Sequence, residues 1–341
     1  MNGLFDNAIR QREAFGAADA RNEAMHVAFG VDAAYARPAG IAITSLLAHN
    51  PRTPFVFHVF ANAMDTADRQ RFEQLARHHS TTVELYDVDT SAFARLPTTA
   101  QYSLAMYNRL LVANALQGRA RRVLYLDADT LCIAPLDELL GASLDGAVSL
   151  VVQDGELSAA QSAALGLKSG RYFNSGMMLI DVDRWLERNV SGRCAELLAE
   201  RPRFRWADQD ALNLLLDGEA RFVDARWNVQ CNLYVAMKAI PFDGSPAPPY
   251  PLPDGAALLH YTGRAKPWHR WCVHSLASIY HEQARASLWR DCALTTTPPS
   301  YHEMKMLSHC LLREGRKLRA TYWYVRYSFA RHRAKRRGTS V

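Results

Sequence analysis

Two carboxylates, Asp127 and Asp129, stand one residue apart in Tyr-Leu-Asp-Ala-Asp-Thr (125–130), directly after the apolar stretch Arg-Val-Leu-Tyr-Leu. In an extended chain, side chains two positions apart point the same way. The pair would then face one another across a short gap. Like charges that close repel, and burial sharpens the repulsion. A divalent cation resolves the conflict, because Mg2+ and Mn2+ take hard oxygen ligands. The two residues alone also fit a plainer reading, in which Asp127 caps a following helix and Asp129 is solvated.

The elements around the pair weigh on that choice. Apolar spacing predicts strands over 25–31, 55–60, 82–88 and 122–126, alternating with helices over 38–50, 65–79 and 105–116. Pro38 is tolerated in a first helical turn. The helix over 65–79 has a capping start, with Phe72 and Leu75 at helical spacing. Strand–helix alternation argues for a parallel, doubly wound α/β sheet. Ligands of such sheets bind beyond the carboxyl ends of the strands, and Asp127 and Asp129 sit at one such end. Further on, 147–154 and 172–182 read as strands joined by a Gly/Ser/Ala-rich segment. Residues 208–218 read as a helix with an acidic start, 241–255 as a Pro/Gly-rich loop and 256–262 as a strand.

A chain of 341 residues suits one large α/β domain, alone or with an appendage. Its 49% hydrophobic and 22% charged residues are ordinary for a soluble protein with a substantial core. No apolar run approaches the roughly 18 residues of a membrane span. Residues 1–24 lack the apolar core of a signal peptide and read as a polar leader that could form a short helix. Six cysteines without a Cys-x-x-Cys pair argue against a zinc site and suit a reducing cytosol. The absence of a Gly-x-Gly-x-x-Gly after the first strand, and of a P-loop signature, weighs against dinucleotide oxidoreductases and P-loop nucleotidases.

Six stretches in order, HVAFGVDAAY, MYNRLLV, RVLYLDADTL, YFNSGMMLIDVDRW, DQDALN and HYTGRAKPWH, carry a family resemblance over about residues 25–275. The chain resembles the retaining nucleotide-sugar glycosyltransferases of family 8, and among them the bacterial lipopolysaccharide core galactosyl- and glucosyltransferases. The resemblance implies a GT-A fold, in which a Rossmann-like nucleotide-binding sheet merges with an acceptor-binding half. It also implies a UDP-sugar donor and a Mn2+ or Mg2+ ion. Asp127 and Asp129 match the family's Asp-x-Asp, with Ala128 between them on the donor side, and His260 matches the third metal ligand. One imidazole with two carboxylates suits Mn2+ better than Mg2+. Lys266 and Gly263 match the diphosphate contact. Asp32 matches the residue that accepts from the uracil N–H, with Tyr35 near the base. An Asn is common two positions after that Asp, and here the position is Ala34, so fewer base contacts are expected. Arg109 matches an arginine touching donor sugar and metal-ligand carboxylates, and Asn174 an amide that binds the sugar. Asp208 and Gln209 match the pair beside the reacting carbon, and Asp154 a residue reaching the acceptor. Outside the resemblance, His260 fits a core histidine, Lys266 and Arg109 fit surface cations, and Asp208 fits a helix cap with Asp210 solvated.

Breaking the bond from sugar C1 to UDP leaves negative charge on the diphosphate, which a metal and a nearby cation would stabilise. Retention could follow two displacements through a sugar–enzyme adduct, or front-face attack through a short-lived ion pair. Gln209 carries no charge and is a poor nucleophile, so the front-face route is favoured, with the leaving phosphate taking the acceptor proton.

Residues 313–337 hold ten Lys/Arg and one acid, a balance of +9 against +6 overall, so the rest of the chain sums to −3. Leu318, Tyr322, Val325 and Phe329 fall on one helical face there, flanked by Trp323 and Tyr327. Such a helix suits an anionic bilayer surface. It would hold a cytoplasmic enzyme peripherally on the cytoplasmic face of the inner membrane, beside a lipid-linked oligosaccharide acceptor. Docking of these aromatics on the protein's own core is the competing reading, and no nucleic-acid module is recognised. The expected organisation is a leader (1–24), a catalytic domain (25–275) and a helical extension (276–341). The leading function is transfer of galactose or glucose from a UDP-sugar to the lipopolysaccharide core, forming an α linkage. The alternatives are a related transferase for capsule or protein, and a non-catalytic sugar-nucleotide-binding protein.

Overall fold

Buried runs of β-branched and aromatic residues build the central strands: β2 (Met25–Asp32), β3 (Phe55–Asn62), β4 (Thr82–Val88) and β5 (Arg122–Leu126). The structure is a computed structural model that describes residues 7–16, 24–98, 103–155, 157–201, 204–238, 252–272, 274–296, 298 and 300–336. Most of the Pro/Gly-rich segment expected as a loop over 241–255 therefore lies outside the described residues, as does residue 337 of the tail.

The remaining strands are β1 (Ile9–Phe15), β6 (Thr130–Cys132), β7 (Ser149–Gln153), β8 (Phe173–Asp181), β9 (Ala220–Val223), β10 (Val229–Gln230) and β11 (Leu258–His260). Eight strands form one sheet in the order β1-β4-β3-β2-β5-β8-β7-β9, and β10-β11-β6 form a second. The centre, β4-β3-β2-β5, is parallel as expected. The whole sheet is mixed, however, because β8 runs antiparallel to β5 and β7, and β1 antiparallel to β4. Within the leader, residues 1–6 and 17–23 lie outside the described residues, and the described part forms strand β1 rather than a helix, its partly buried residues covering the edge of β4.

Helices flank the parallel strands. Ala36–His49 carries Pro38 in its first turn, and Thr66–His78 is capped by Asp65, which accepts from Asp68 N. The segment expected as a helix over 105–116 starts as a 3-10 turn, Leu104–Leu111, before the α-helical Val112–Leu116. The segment between β7 and β8 forms a helix, Ser158–Leu165. One core cluster joins Ala28, Phe60, Tyr125, Met178 and Ile180 of the sheet to Leu111, Trp185, Leu198 and Leu212 of helices. Their strand neighbours, such as Phe29 and Val59, point to the opposite face.

The chain divides into two units: Met1–Gln230 with Pro253–His260 and Ser287–Trp289, and the rest. Trp289 belongs to the first. Its indole N–H donates to Asp68 at 2.7 Å, and its ring fills the space a side chain at Gly40 would need. In the second unit, the helices Tyr301–Arg313 and Lys317–Arg336 share a small core of Trp271, Leu307, Leu311 and Ala320. Trp323 packs against that core, and Tyr327 is buried beside Tyr301 and Tyr324. These two aromatics, expected to flank the exposed face, thus form the packed one. Leu318, Tyr322, Val325 and Phe329 are exposed, Leu318 by 90% and Phe329 by 69%. No helix among the described residues is long and apolar enough to cross a membrane.

Candidate active site

β5 ends at Leu126, so Asp127 and Asp129 do not face one another along a strand as the spacing suggested. They lie in a turn that Thr130 closes, its N–H (3.1 Å) and hydroxyl (2.8 Å) both donating to the Asp127 carbonyl. The turn carries the chain from the large sheet into β6 of the small one. There His260 on β11 pairs opposite Thr130, which brings its ring to the acidic pair. His260 Nε2 lies 3.2 Å from Asp129 Oδ1 and 3.8 Å from Asp127 Oδ2. Ligand atoms of the three side chains all lie within 4.8 Å of one another, the one such metal-capable group among the described residues. Two carboxylates and an imidazole converging this closely fit a divalent cation, whose charge offsets their mutual repulsion.

Arg109 ties this trio to a third acid. Its NH2 donates to Asp127 Oδ1 at 2.8 Å, and NH1 donates to the Ser175 carbonyl and hydroxyl at 3.0 and 2.6 Å. Its Nε–H is aimed at the Met106 carbonyl, and Nε also lies 2.9 Å from Asp208 Oδ2. That carboxylate oxygen is buried with no hydrogen bond, so its contact with Arg109 is electrostatic. Burial works against the Arg109 charge, but Asp127 and Asp208 outweigh it and hold its pKa above the ordinary guanidinium value. Burial raises the Asp208 carboxyl, opposed by Arg109 and reinforced by Asp127. Tyr125, whose hydroxyl donates to Asp127 Oδ1 at 2.9 Å, lies under the guanidinium.

The wall opposite is a bulge in β8. Val151 pairs with Met178 but Val152 pairs with Asn174, so Ser175–Met177 drop out of the ladder with β7, while Met177 still pairs with Leu126 of β5. Bulges release backbone groups to hold side chains and often stand next to active sites. Here Ser175 N donates to Gln209 Oε1 (3.0 Å), Gly176 N to Asn174 Oδ1 (3.0 Å), and Asp127 N to the Gly176 carbonyl (2.8 Å). The other end of the Gln209 amide donates to Tyr172 OH at 3.0 Å, and that hydroxyl donates to Asp210 Oδ1 at 2.6 Å. Asp210 is therefore fully buried rather than solvated.

Asp208, Gln209, Asn174, Arg109, Asp127, buried Ala128, Asp129 and His260 thus converge. Asp154 is also buried; Oδ1 accepts from Leu157 N at 2.8 Å, and Oδ2 lies 3.5 Å from Asn174 Nδ2. Asp32 sits at the end of β2, where Oδ1 accepts from Ala34 N and Tyr35 N and Oδ2 from Ser103 Oγ. Gly263 and Lys266 belong to the second unit. Gly263 adopts φ 77°, and Lys266 Nζ donates to the Tyr261 carbonyl at 2.6 Å. Two partners escaped the sequence reading. Ser175 lies inside a run read as a plain strand, although Asn-Ser-Gly interrupting apolar residues is a bulge signal. Asn228 places its Oδ1, an acceptor, 3.0 Å from His260 Nδ1 and gave no signal beyond a polar residue between Trp227 and Val229.

The family model Glycosyl transferase family 8 matches residues 26–272. The lipopolysaccharide 1,3-galactosyltransferase of Salmonella typhimurium is 31% identical over 89% of this chain and 90% of its own length. The lipopolysaccharide glucosyltransferase WaaO of Escherichia coli K12 is 30% identical over 91% of each. A crystal structure of galactosyltransferase LgtC with donor and acceptor sugar analogs superposes with a TM-score of 0.65 at 27% identity, covering 81% of this chain and 98% of LgtC. With a family model spanning the small sheet, all but the β1 edge of the large one and the acidic turn between them, the chain belongs to family 8 of the glycosyltransferases.

Proposed function

We propose that the protein is a Mn2+-dependent, retaining transferase that moves galactose or glucose from a UDP-sugar to the lipopolysaccharide core, forming an α linkage. The observation that carries this is the Asp127–Asp129–His260 trio tied through Arg109 to Asp208. The names of the two enterobacterial relatives support the substrate class.

Asp127, Asp129 and His260 would hold the cation, which when bound offsets charge on the departing diphosphate. Arg109 orients Asp127 through its NH2 hydrogen bond, and its charge lies beside Asp208. Asp208 offers a buried oxygen without a hydrogen bond, suited to a donor hydroxyl. Gln209 is clamped at both ends of its amide, which suits a fixed dipole on the sugar face better than a nucleophile. Asn174 and Asp154 would serve sugar and acceptor, Asp32 and Tyr35 the nucleoside, and Lys266 with Gly263 the diphosphate. These roles favour front-face attack, and a stable sugar adduct on Asp208 would overturn that preference. The exposed Leu318, Tyr322, Val325 and Phe329 among arginines suit an anionic membrane surface on the cytoplasmic side, where a lipid-linked acceptor resides. The test is UDP release from a panel of UDP-sugars with purified core lipid. Release from one UDP-hexose that EDTA abolishes supports the proposal, and no release from any donor by folded protein refutes it.

A further inference from the structure

We infer that Asn174 and Asn228 are positioning residues that set the tautomer of His260, keeping its proton on Nδ1 so that Nε2 presents a lone pair toward Asp127 and Asp129. The inference deepens the reading of that trio as a metal site and rests on it.

The polarity is set at a group that has no choice. The Gly176 backbone N–H can only donate, and it meets the Asn174 side chain at 3.0 Å, so the receiving atom is the amide oxygen. The amide nitrogen of Asn174 then faces the Asp154 carboxylate at 3.5 Å, which agrees with the same orientation. The Asn174 oxygen also lies 3.0 Å from the Asn228 amide. Two facing oxygens would repel, so Asn228 turns its nitrogen there and its oxygen toward His260 Nδ1, 3.0 Å away. An oxygen at that distance calls for N–H on Nδ1. A neutral imidazole protonated there has its lone pair on Nε2, the atom that faces both carboxylates.

Asn174, Asn228 and His260 are all buried, so the relay is shielded from solvent exchange of partners. Gly176 has a second part in it. A Cβ at that position would lie 2.2 Å from His260 Cε1, so the bulge that supplies the N–H also leaves room for the ring. Without the relay, the carboxylates beside Nε2 favour the Nε2–H tautomer, and it offers a cation no lone pair.

The test reads the tautomer on the metal-free chain by long-range 1H–15N correlation with 15N-labelled histidine. The His260 signals are identified by their loss in His260→Gln. The expected result in the wild type is a proton on Nδ1, alone or together with one on Nε2 beside Asp129. Asn228→Leu should populate both tautomers and weaken Mn2+ binding by about 10–100-fold. Asn228→Ala removes the same acceptor without the bulk of Leu and should act alike, which separates loss of the acceptor from steric displacement of the ring. A wild-type Nε2–H tautomer, or undiminished Mn2+ affinity in folded Asn228→Leu, overturns the inference. Failure of the wild type to bind Mn2+ at all would instead sink the metal-site reading, and the tautomer measured without metal tells the two failures apart.

Discussion

Gly176→Ala is the sharpest steric probe of the metal trio. The added methyl would lie 2.2 Å from His260 Cε1, 2.8 Å from Nδ1 and 2.9 Å from Asp127 Oδ2, where ordinary contact begins at 3.4 Å. The shortfall at Cε1 is about 1.2 Å, far more than a few tenths of an ångström of give can absorb. His260 is buried and held at Nδ1 by Asn228, and Asp127 is held by Arg109 and Tyr125, so neither can retreat without losing a partner. Overpacking of this kind costs about 1–3 kcal/mol. Swinging the ring away also gives up a buried hydrogen bond worth about 1 kcal/mol. If the ring moves, the cost appears as lost metal affinity, and about 1.4 kcal/mol is a factor of ten. Gly176→Ala should therefore fold and bind Mn2+ about 30–700-fold more weakly, read by calorimetric titration. UDP release should fall and partly recover at high Mn2+. A variant with wild-type Mn2+ affinity and wild-type turnover would refute this geometry of the site.

Arg109→Ala leaves Asp127 and Asp208 without their shared cation and should lower stability by about 3–5 kcal/mol in urea denaturation. Arg109→Lys should recover only part of that, because an ammonium cannot reproduce the fork; full recovery would contradict the bridging role. The raised pKa of Asp208 means that the folded chain keeps this proton at pH values where the unfolded chain has released it. Stability from this group is present at low pH and lost as pH rises from the unfolded value of about 3.9 through the raised folded one. Asp208→Asn should thus melt at or above the wild-type temperature at pH 8, with the gap closing toward pH 4. A clear drop in melting temperature at pH 8 would contradict it. Replacing Leu318 and Phe329 together by Ser should weaken binding to anionic vesicles by roughly tenfold or more, since each exposed apolar side chain stands to bury about 1.5–3 kcal/mol. Unchanged vesicle co-sedimentation would count against the membrane surface.

The parallel strands were readable because each is a short apolar run ending at a polar turn, and Asp127 falls where such a run stops. His260 stands far from Asp127 and Asp129 in sequence, and only the β11–β6 pairing at His260 and Thr130 joins them. No local pattern encodes a three-residue ladder between segments that distant. β1 escaped because its burial is partial and its residues are polar, so neither period stands out. The Asn-Ser-Gly interruption marks the bulge at Ser175–Met177, but its purpose appears only once Gln209 and Asn174 are seen hydrogen-bonded to its N–H groups. In the tail, the helical spacing of Leu318, Tyr322, Val325 and Phe329 was legible, whereas the side occupied by Trp323 and Tyr327 depended on a partner helix that spacing cannot reveal.

The central claim, a metal-held UDP-sugar at Asp127, Asp129 and His260, is tested most directly by UDP release from a panel of UDP-sugars with Mn2+, Mg2+ or EDTA, comparing wild type with Asp129→Asn. Slow hydrolysis without acceptor suffices for the readout. The account predicts release from one UDP-hexose, supported by Mn2+ and lost both with EDTA and in Asp129→Asn. Release that persists undiminished in EDTA and in the folded variant would contradict it.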